Sequence, residues 1–308
     1  MNGYKPEGIF SNYQGVKDAV YTRRFLEHSM EARKILEGQV MLCDEELNLH
    51  VSLGNMQGII PREEVVYPTF GETVKDIAIL TRVGKSVCFH VTDIVERNGE
   101  TVAVLSRKSA QQECYFEKIK KLRPGDVIEA KVTHMENFGA FLDIGCGLVS
   151  LLPIDAISVS RISHPSLRLS VGEVLDVAVR TVDESGRVYV SRKELLGTWE
   201  ENAALFSAGQ TVPGIVRSIE SYGIFVELTP NLTGLAELKE GVCVNQSAAV
   251  YIKSILPDRM KIKLVILDSF ARSIGEKTVA PTLARPEHID YWRYSPLGAS
   301  KLVETVFV

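Results

Sequence analysis

Two stretches of the chain repeat each other. PGDVIEAKVTHMENFGAFLDIG, from Pro124, lies over AGQTVPGIVRSIESYGIFVELT, from Ala208, so that Gly125 meets Gly209, Phe138 meets Tyr222, Gly139 meets Gly223 and Phe141 meets Phe225, each 84 positions on. A repeat at fixed spacing sets the domain count and requires each unit to fold alike. A weaker copy lies upstream: EGQVMLCDEELNLHVSLGNMQGIIPREEV, then VGKSVCFHVTDIVERNGETVAVLSRKSA, which parallels VGEVLDVAVRTVDESGRVYVSRKEL of the central copy. This first copy lacks the paired aromatics.

Each copy alternates as short strands do. In the central one Ile128, Ala130 and Val132 alternate with Glu129, Lys131 and Thr133, and Ala140, Leu142 and Ile144 alternate with Phe141 and Asp143. An irregular stretch, SVSRISHPSLRLS, precedes a second strand pair, VLDVAVRTVD and RVYVSRK, closed by a tight turn at Glu184 to Gly186. Five strands with a loop-rich crossing after the third follow the plan of an OB-fold barrel. The fold class expected is therefore mostly β: three tandem five-stranded barrels joined by short helices, with an N-terminal helix. The boundaries expected are a helical segment at 1–36, a degenerate barrel at 37–110, a linker helix at 111–122, the central barrel at 123–195, a second linker helix at 196–206, the third barrel at 207–268 and a tail at 269–308. VKDAVYTRRFLEHSMEARKILEG, from Val16, carries apolar residues near helical spacing and should pack on the first barrel or its neighbour. RKSAQQECYFEKIKKLR reads as a basic linker helix, and KELLGTWEENAALF as one that buries Trp199 and Phe206 against the barrels it joins. In the tail, Tyr291, Trp292, Arg293 and Tyr294 fit docking on the chain's own domain better than exposure, and LVETVFV reads as a strand.

Length and 45% hydrophobic content allow ordinary cores in two or three domains. No window approaches the ~18 consecutive apolar residues of a membrane helix, and the N-terminus lacks the pattern of a signal peptide, so a cytoplasmic protein with no membrane partner is expected. The cysteines Cys43, Cys88, Cys114, Cys146 and Cys243 form no CxxC pair, which proposes neither a disulfide framework nor a zinc site. A P-loop, GxGxxG, HExxH and GxSxG are all absent, so no catalysis, cofactor or metal is expected. With a net charge of −4, a polyanion would have to be held by local basic groups and stacking.

The pair Phe138 and Phe141 poses the sharpest question, because residues three apart on a strand should face opposite ways. Both could be core, yet Ala140, Leu142 and Ile144 already supply an inward register, which turns Phe141 outward. A bulge at Gly139 would let both rings share the outer face. Exposed rings can stack on unpaired bases, with basic neighbours on the phosphates; Lys131, Arg187 and Arg192 could supply the charge, and His134 could stack or hydrogen-bond. Tyr222 and Phe225 repeat the arrangement around Ile224 and Val226, without supporting charges. Lys118, Lys120, Lys121 and Arg123 are either a weak basic patch or a solvated face.

GDVIEAKVTHMENFGAFLDIG, SLLPI and VGEVLDVAVRTVDESGRVYVSRKEL together resemble the S1 domain, the RNA-binding OB-fold repeated in bacterial 30S ribosomal protein S1, here in the short form of Gram-positive anaerobes. The resemblance spans the whole central barrel, the first half of the third and a degenerate first. It implies a nucleic-acid face made of the two aromatics, Phe138 and Phe141, with an aspartate and an arginine at Asp183 and Arg187. The family's histidine on the third strand falls on Pro153, and on Glu237 in the third barrel, whose Asp/Arg turn has become LPDRMKIK. In the first barrel Leu47 and His50 stand in the aromatic positions and Asn48 replaces the glycine. Asp183 with Arg187 is open to a second reading, a surface ion pair that only stabilises the turn.

The function implied is binding of single-stranded RNA such as mRNA, mainly by the central barrel and more weakly by the third, in translation at or near the small (30S) ribosomal subunit. Two other classes stay open: a protein-interaction scaffold that docks on the ribosome through the first barrel and tail, and an accessory factor in RNA decay or transcription.

Overall fold

The structure, a computed structural model, describes residues 4–9, 21–68, 73–97, 99–184, 186–271 and 280–307. Its strands close into five-stranded barrels. The first comprises β1 (Leu36–Cys43), β2 (Leu49–Ser52), β3 (Gln57–Ile60), β4 (Ser86–Arg97) and β5 (Glu100–Ser106). The central barrel comprises β6 (Val127–Glu136), β7 (Gly139–Asp143), β8 (Val149–Pro153), β9 (Val174–Val182) and β10 (Val188–Ser191). The next comprises β11 (Thr211–Glu220), β12 (Gly223–Thr229), β13 (Leu232–Ala236), β14 (Ser247–Leu256) and β15 (Lys261–Phe270). In every barrel the first strand pairs the second and fourth, and the third pairs the fifth in parallel, as the OB plan requires.

Period-two alternation dictates the cores. Ile128, Ala130, Val132, Ala140, Leu142 and Ile144 all point inward and are buried, joined by Leu152, Val177, Val179 and Val190. The bulge lies elsewhere than expected. Gly139 pairs regularly with Glu136 and Pro153, and the register slips instead between Val132 and His134 on the facing strand. Phe138 precedes β7, in the turn, so strand alternation does not govern it. Glycine is needed at 139 for close approach: a Cβ there would sit 2.5 Å from the Leu152 carbonyl oxygen. The equivalent Gly223 faces the Ala236 carbonyl at 2.6 Å.

The N-terminal helix runs over Arg23–Glu31, where Thr22 caps it by accepting from the Phe25 N–H, and Leu26 enters the first core. Val16 to Val20 lie outside the described residues. The linker helix Arg107–Glu117 starts at Ser106, whose hydroxyl accepts from the Ser109 N–H. The second linker, Trp199–Ala203, opens with a capping box of Thr198 and Glu201 and buries Trp199 against the third barrel. The tail straps two barrels together. Val127 N–H donates to Glu287 and Ile289 N–H to Gly125, while Trp292 and Tyr294 join the third core. Phe307 packs on Val127 and Ala178, just past a short ribbon of β16 (Tyr291–Arg293) and β17 (Glu304–Val306).

Neighbouring barrels are joined through buried charges. Residues 4–9 lie between the first and central barrels, where the Arg107 guanidinium meets Glu7 with its Nε 2.7 Å from Oε1. Glu7 N–H donates to Asp143, Gly8 N–H to Glu37, and Cys146 N–H to the Lys5 carbonyl. At the other joint Glu227 of β12, fully buried, is clamped between Arg168 of the central barrel and Arg217 of β11.

Candidate nucleic-acid interface

The outer face of β7 carries the aromatic cluster. Phe138, 56% exposed, meets Phe141 edge to face with ring centroids 6.0 Å apart and planes at 90°. His134 stacks on Phe141, 6.1 Å away at 21°, and its Nε2 lies 2.7 Å from Glu136 Oε1. Cross-strand pairing extends the row, since Phe141 faces Leu151 of β8 and Leu151 faces Tyr189 of β10. Tyr189 escaped the sequence reading although its signal was present: Val188 and Val190 are buried, so the residue between them must face out.

The turn between β9 and β10 positions the charges. Gly186, at φ +85°, allows its N–H to donate to the Asp183 carbonyl, and an Asp183 carboxylate oxygen accepts from the Arg187 N–H at 2.9 Å. Asp183 thus shapes the turn that sets Arg187 beside the cleft containing Phe141 and Tyr189.

Two of the expected cations are placed elsewhere. Lys131 does have the outward register, opposite Asp143, but residues 4–9 cover that flank and its ammonium donates to the Glu7 carbonyl oxygen at 2.8 Å. Arg192 has a side chain only 23% exposed and lies 4.0 Å from Glu173. It lines a separate cavity beneath the tail, with Arg285, Ile289 and Trp292. The basic linker is divided likewise: Lys118 donates to the carbonyls of Tyr4 and Ile144, Lys121 pairs with Glu117, and Lys120 lies over the Phe116 ring.

In the third barrel Tyr222, 68% exposed, meets Phe225 at 6.0 Å and 89°, the geometry of the central pair. The row continues through Leu235 to Lys263, in the place of Tyr189, with Ser218 in the place of His134. Lys263 is exposed between buried Ile262 and Leu264, so this face has a cation that the loss of the Asp/Arg turn had seemed to remove. In the first barrel the row runs Leu42, His50, Ile59 and Val104. His50 Nε2 lies 3.1 Å from an Asp44 carboxylate that also accepts from Asn48, and Leu47 sits in a left-handed turn at φ +67°.

Residues 121–193, which hold the best-equipped face, match the model of the S1 RNA binding domain. The central barrel is an S1 domain. The similarity extends beyond this domain: small ribosomal subunit protein bS1 of Rhizobium meliloti is 26% identical over 269 residues, 85% of this chain and 45% of that protein. The bS1 proteins of Leuconostoc lactis and Staphylococcus saprophyticus are 32% and 29% identical over 54% and 70% of this chain, and 39% and 54% of their own lengths. The chain spans about half the length, or less, of these relatives. The S1 domain is therefore the unit on which the geometry and the likeness coincide, and its outward row is Phe138, Phe141, His134, Leu151 and Tyr189.

Proposed function

We propose that the chain binds single-stranded RNA on the outer face of β7, β8 and β10, with the face of β12, β13 and β15 as a second contact. The observation that carries this reading is the ring pair itself: Phe138 with Phe141, and Tyr222 with Phe225, stand edge to face at the same separation on equivalent strands of two barrels. Large rings exposed on a sheet are costly unless a partner covers them, and bases are the partner that tolerates any sequence. Arg187 supplies charge at the first face and Lys263 at the second. Two weak contacts on one strand act at high effective concentration, which allows a chain of net charge −4 to hold a polyanion.

Read as S1-type units, the flanking barrels make this a tandem array like that of its bS1 relatives, a binding rather than a catalytic protein of the cytoplasm. Its place is then in translation, holding mRNA at or near the small ribosomal subunit. A second reading has one observation in its favour: among the described residues the outward row of the first barrel carries no ring pair, and its His50 is engaged by Asp44, which suits a protein-docking role. Cosedimentation with ribosomes that survives nuclease treatment would favour docking. The main test is fluorescence anisotropy of a labelled single-stranded RNA with the unaltered protein and with Phe138→Ala/Phe141→Ala. Each stacked base contributes about 1–3 kcal/mol, so a loss of at least tenfold is expected, and equal affinity overturns the assignment.

A further inference from the structure

We propose that the cleft between the first and central barrels is a nucleotide pocket, which takes the unit of single-stranded RNA next to the one stacked on Phe138 and Phe141. The inference rests on the RNA-binding reading of that face and adds a subsite to it. The cleft has a volume of about 510 Å³, within the range of small-molecule sites. Tyr67 and Arg82 line it from the first barrel's side, and Phe141, Leu151, Arg187 and Tyr189 from the central barrel. Phe141 therefore belongs to both the ring cluster and the cleft wall, and a strand stacked on the first continues into the second without a break.

The charges in the cleft select an anion. Three arginines line it, Arg82, Arg107 and Arg187, and among the described residues no Asp or Glu does. Arg107 is committed to Glu7. Arg82 feels the Glu7 and Asp143 carboxylates but forms no ion pair with them among the described residues: its Nη2 donates to the Thr81 hydroxyl at 3.2 Å, and its Nε is buried with no acceptor among the described residues. A buried donor without a partner is costly, and a phosphate oxygen would relieve it. Burial, then the Arg107 charge, lowers the Arg82 pKa, although an arginine stays charged at neutral pH. The tyrosines supply faces for a base, and the Tyr67 ring rests against Tyr115 at 6.0 Å.

The walls are held in place before anything binds. Gln111 accepts from the Tyr67 N–H and donates to the Cys146 carbonyl, and Arg107 donates to the Val65 carbonyl. One linker helix thus ties both sides of the cleft, so little ordering cost is left for a ligand.

The test compares the intact chain with Tyr67→Ala, Arg82→Met and, as a benchmark, Phe138→Ala, each checked for unchanged thermal unfolding, in binding to a labelled oligouridylate at several salt concentrations. Tyr67→Ala should weaken binding between about fivefold and a hundredfold with an unchanged salt slope. Arg82→Met should weaken it and reduce the slope by about one. If both bind within twofold of the intact chain while Phe138→Ala binds weakly, the pocket is overturned and the RNA face stands. If Phe138→Ala is also unchanged, the face itself falls, and the pocket with it. Competition by uridine monophosphate as effective as that by the oligomer would make this a free-nucleotide site and overturn the proposal. Should a variant unfold, 4-thiouridine RNA on the unaltered protein decides: crosslinks in the peptide holding Tyr67 support the pocket, and crosslinks confined to the peptide holding Phe138 overturn it.

Discussion

Asp143 and Glu227 occupy the same position in two barrels, two residues beyond the second ring of each aromatic pair. Both are buried, and each sits where its barrel meets the part of the chain before it. Their electrostatics are opposite. Burial and the neighbouring Glu7 charge push the Asp143 carboxyl up to about 7, whereas Arg168 and Arg217 overcome burial and hold Glu227 below the usual carboxylate range. The equivalent residue of the first barrel is Ser52, neutral and exposed. One site on a repeated barrel thus serves as a joint, and the neighbouring charges decide whether a proton or a guanidinium neutralises it.

The largest effect expected from breaking this comparison is at Glu227. Glu227→Gln leaves two buried guanidinium groups without their counter-charge and should cost about 3–5 kcal/mol, whereas Asp143→Asn should cost clearly less at pH 6, where the carboxyl is largely protonated. Urea unfolding of both variants measures this, and equal losses would contradict the distinction. A smaller effect concerns pH. Asp143, with a raised folded pKa, stabilises fully below its unfolded value of about 4 and loses that contribution, about 4 kcal/mol for a rise from about 4 to about 7, as pH rises through 7. Glu227, with a lowered one, contributes above about 4.5 and loses this as pH falls through its folded value. Hydrogen exchange corrected for intrinsic rates should therefore find the Gly145 and Gly147 amides, which donate to Asp143 Oδ1, better protected at pH 5 than at pH 8, with Val159 and Ser160, whose amides bond across the Glu227 joint to Asn231 and Pro230, unchanged over that range. The smallest effect separates the two faces. Lys263→Tyr should lower the salt slope of RNA binding by about one and Tyr189→Lys should raise it by as much, each shifting affinity by about 1 kcal/mol.

Much of this was legible beforehand. The inward register of Ala140, Leu142 and Ile144 follows from alternation, and so do the outward positions of Tyr189 and Lys263, which needed only the same rule applied to the fifth strand. The turn at Phe138 did not follow, because period two holds only inside a strand. Nor did the covering of Lys131: its ammonium bonds to Glu7, 124 positions away. Arg192 is drawn beneath a tail whose Trp292 lies 100 positions further along the chain.

Sequence by itself determined the repeated unit, the inward register of its strands and the outward place of Phe141 and Phe225, because these depend on neighbours within a few residues or on self-similarity at a fixed spacing. Tertiary structure decided which outward faces meet water and which meet another part of the chain. Alternation distinguishes the inside of a barrel from its outside, but the same outside can be a ring-bearing surface at Phe138, a charged joint at Asp143 or the wall of a cleft at Arg187. Contacts between segments far apart in the chain make that choice.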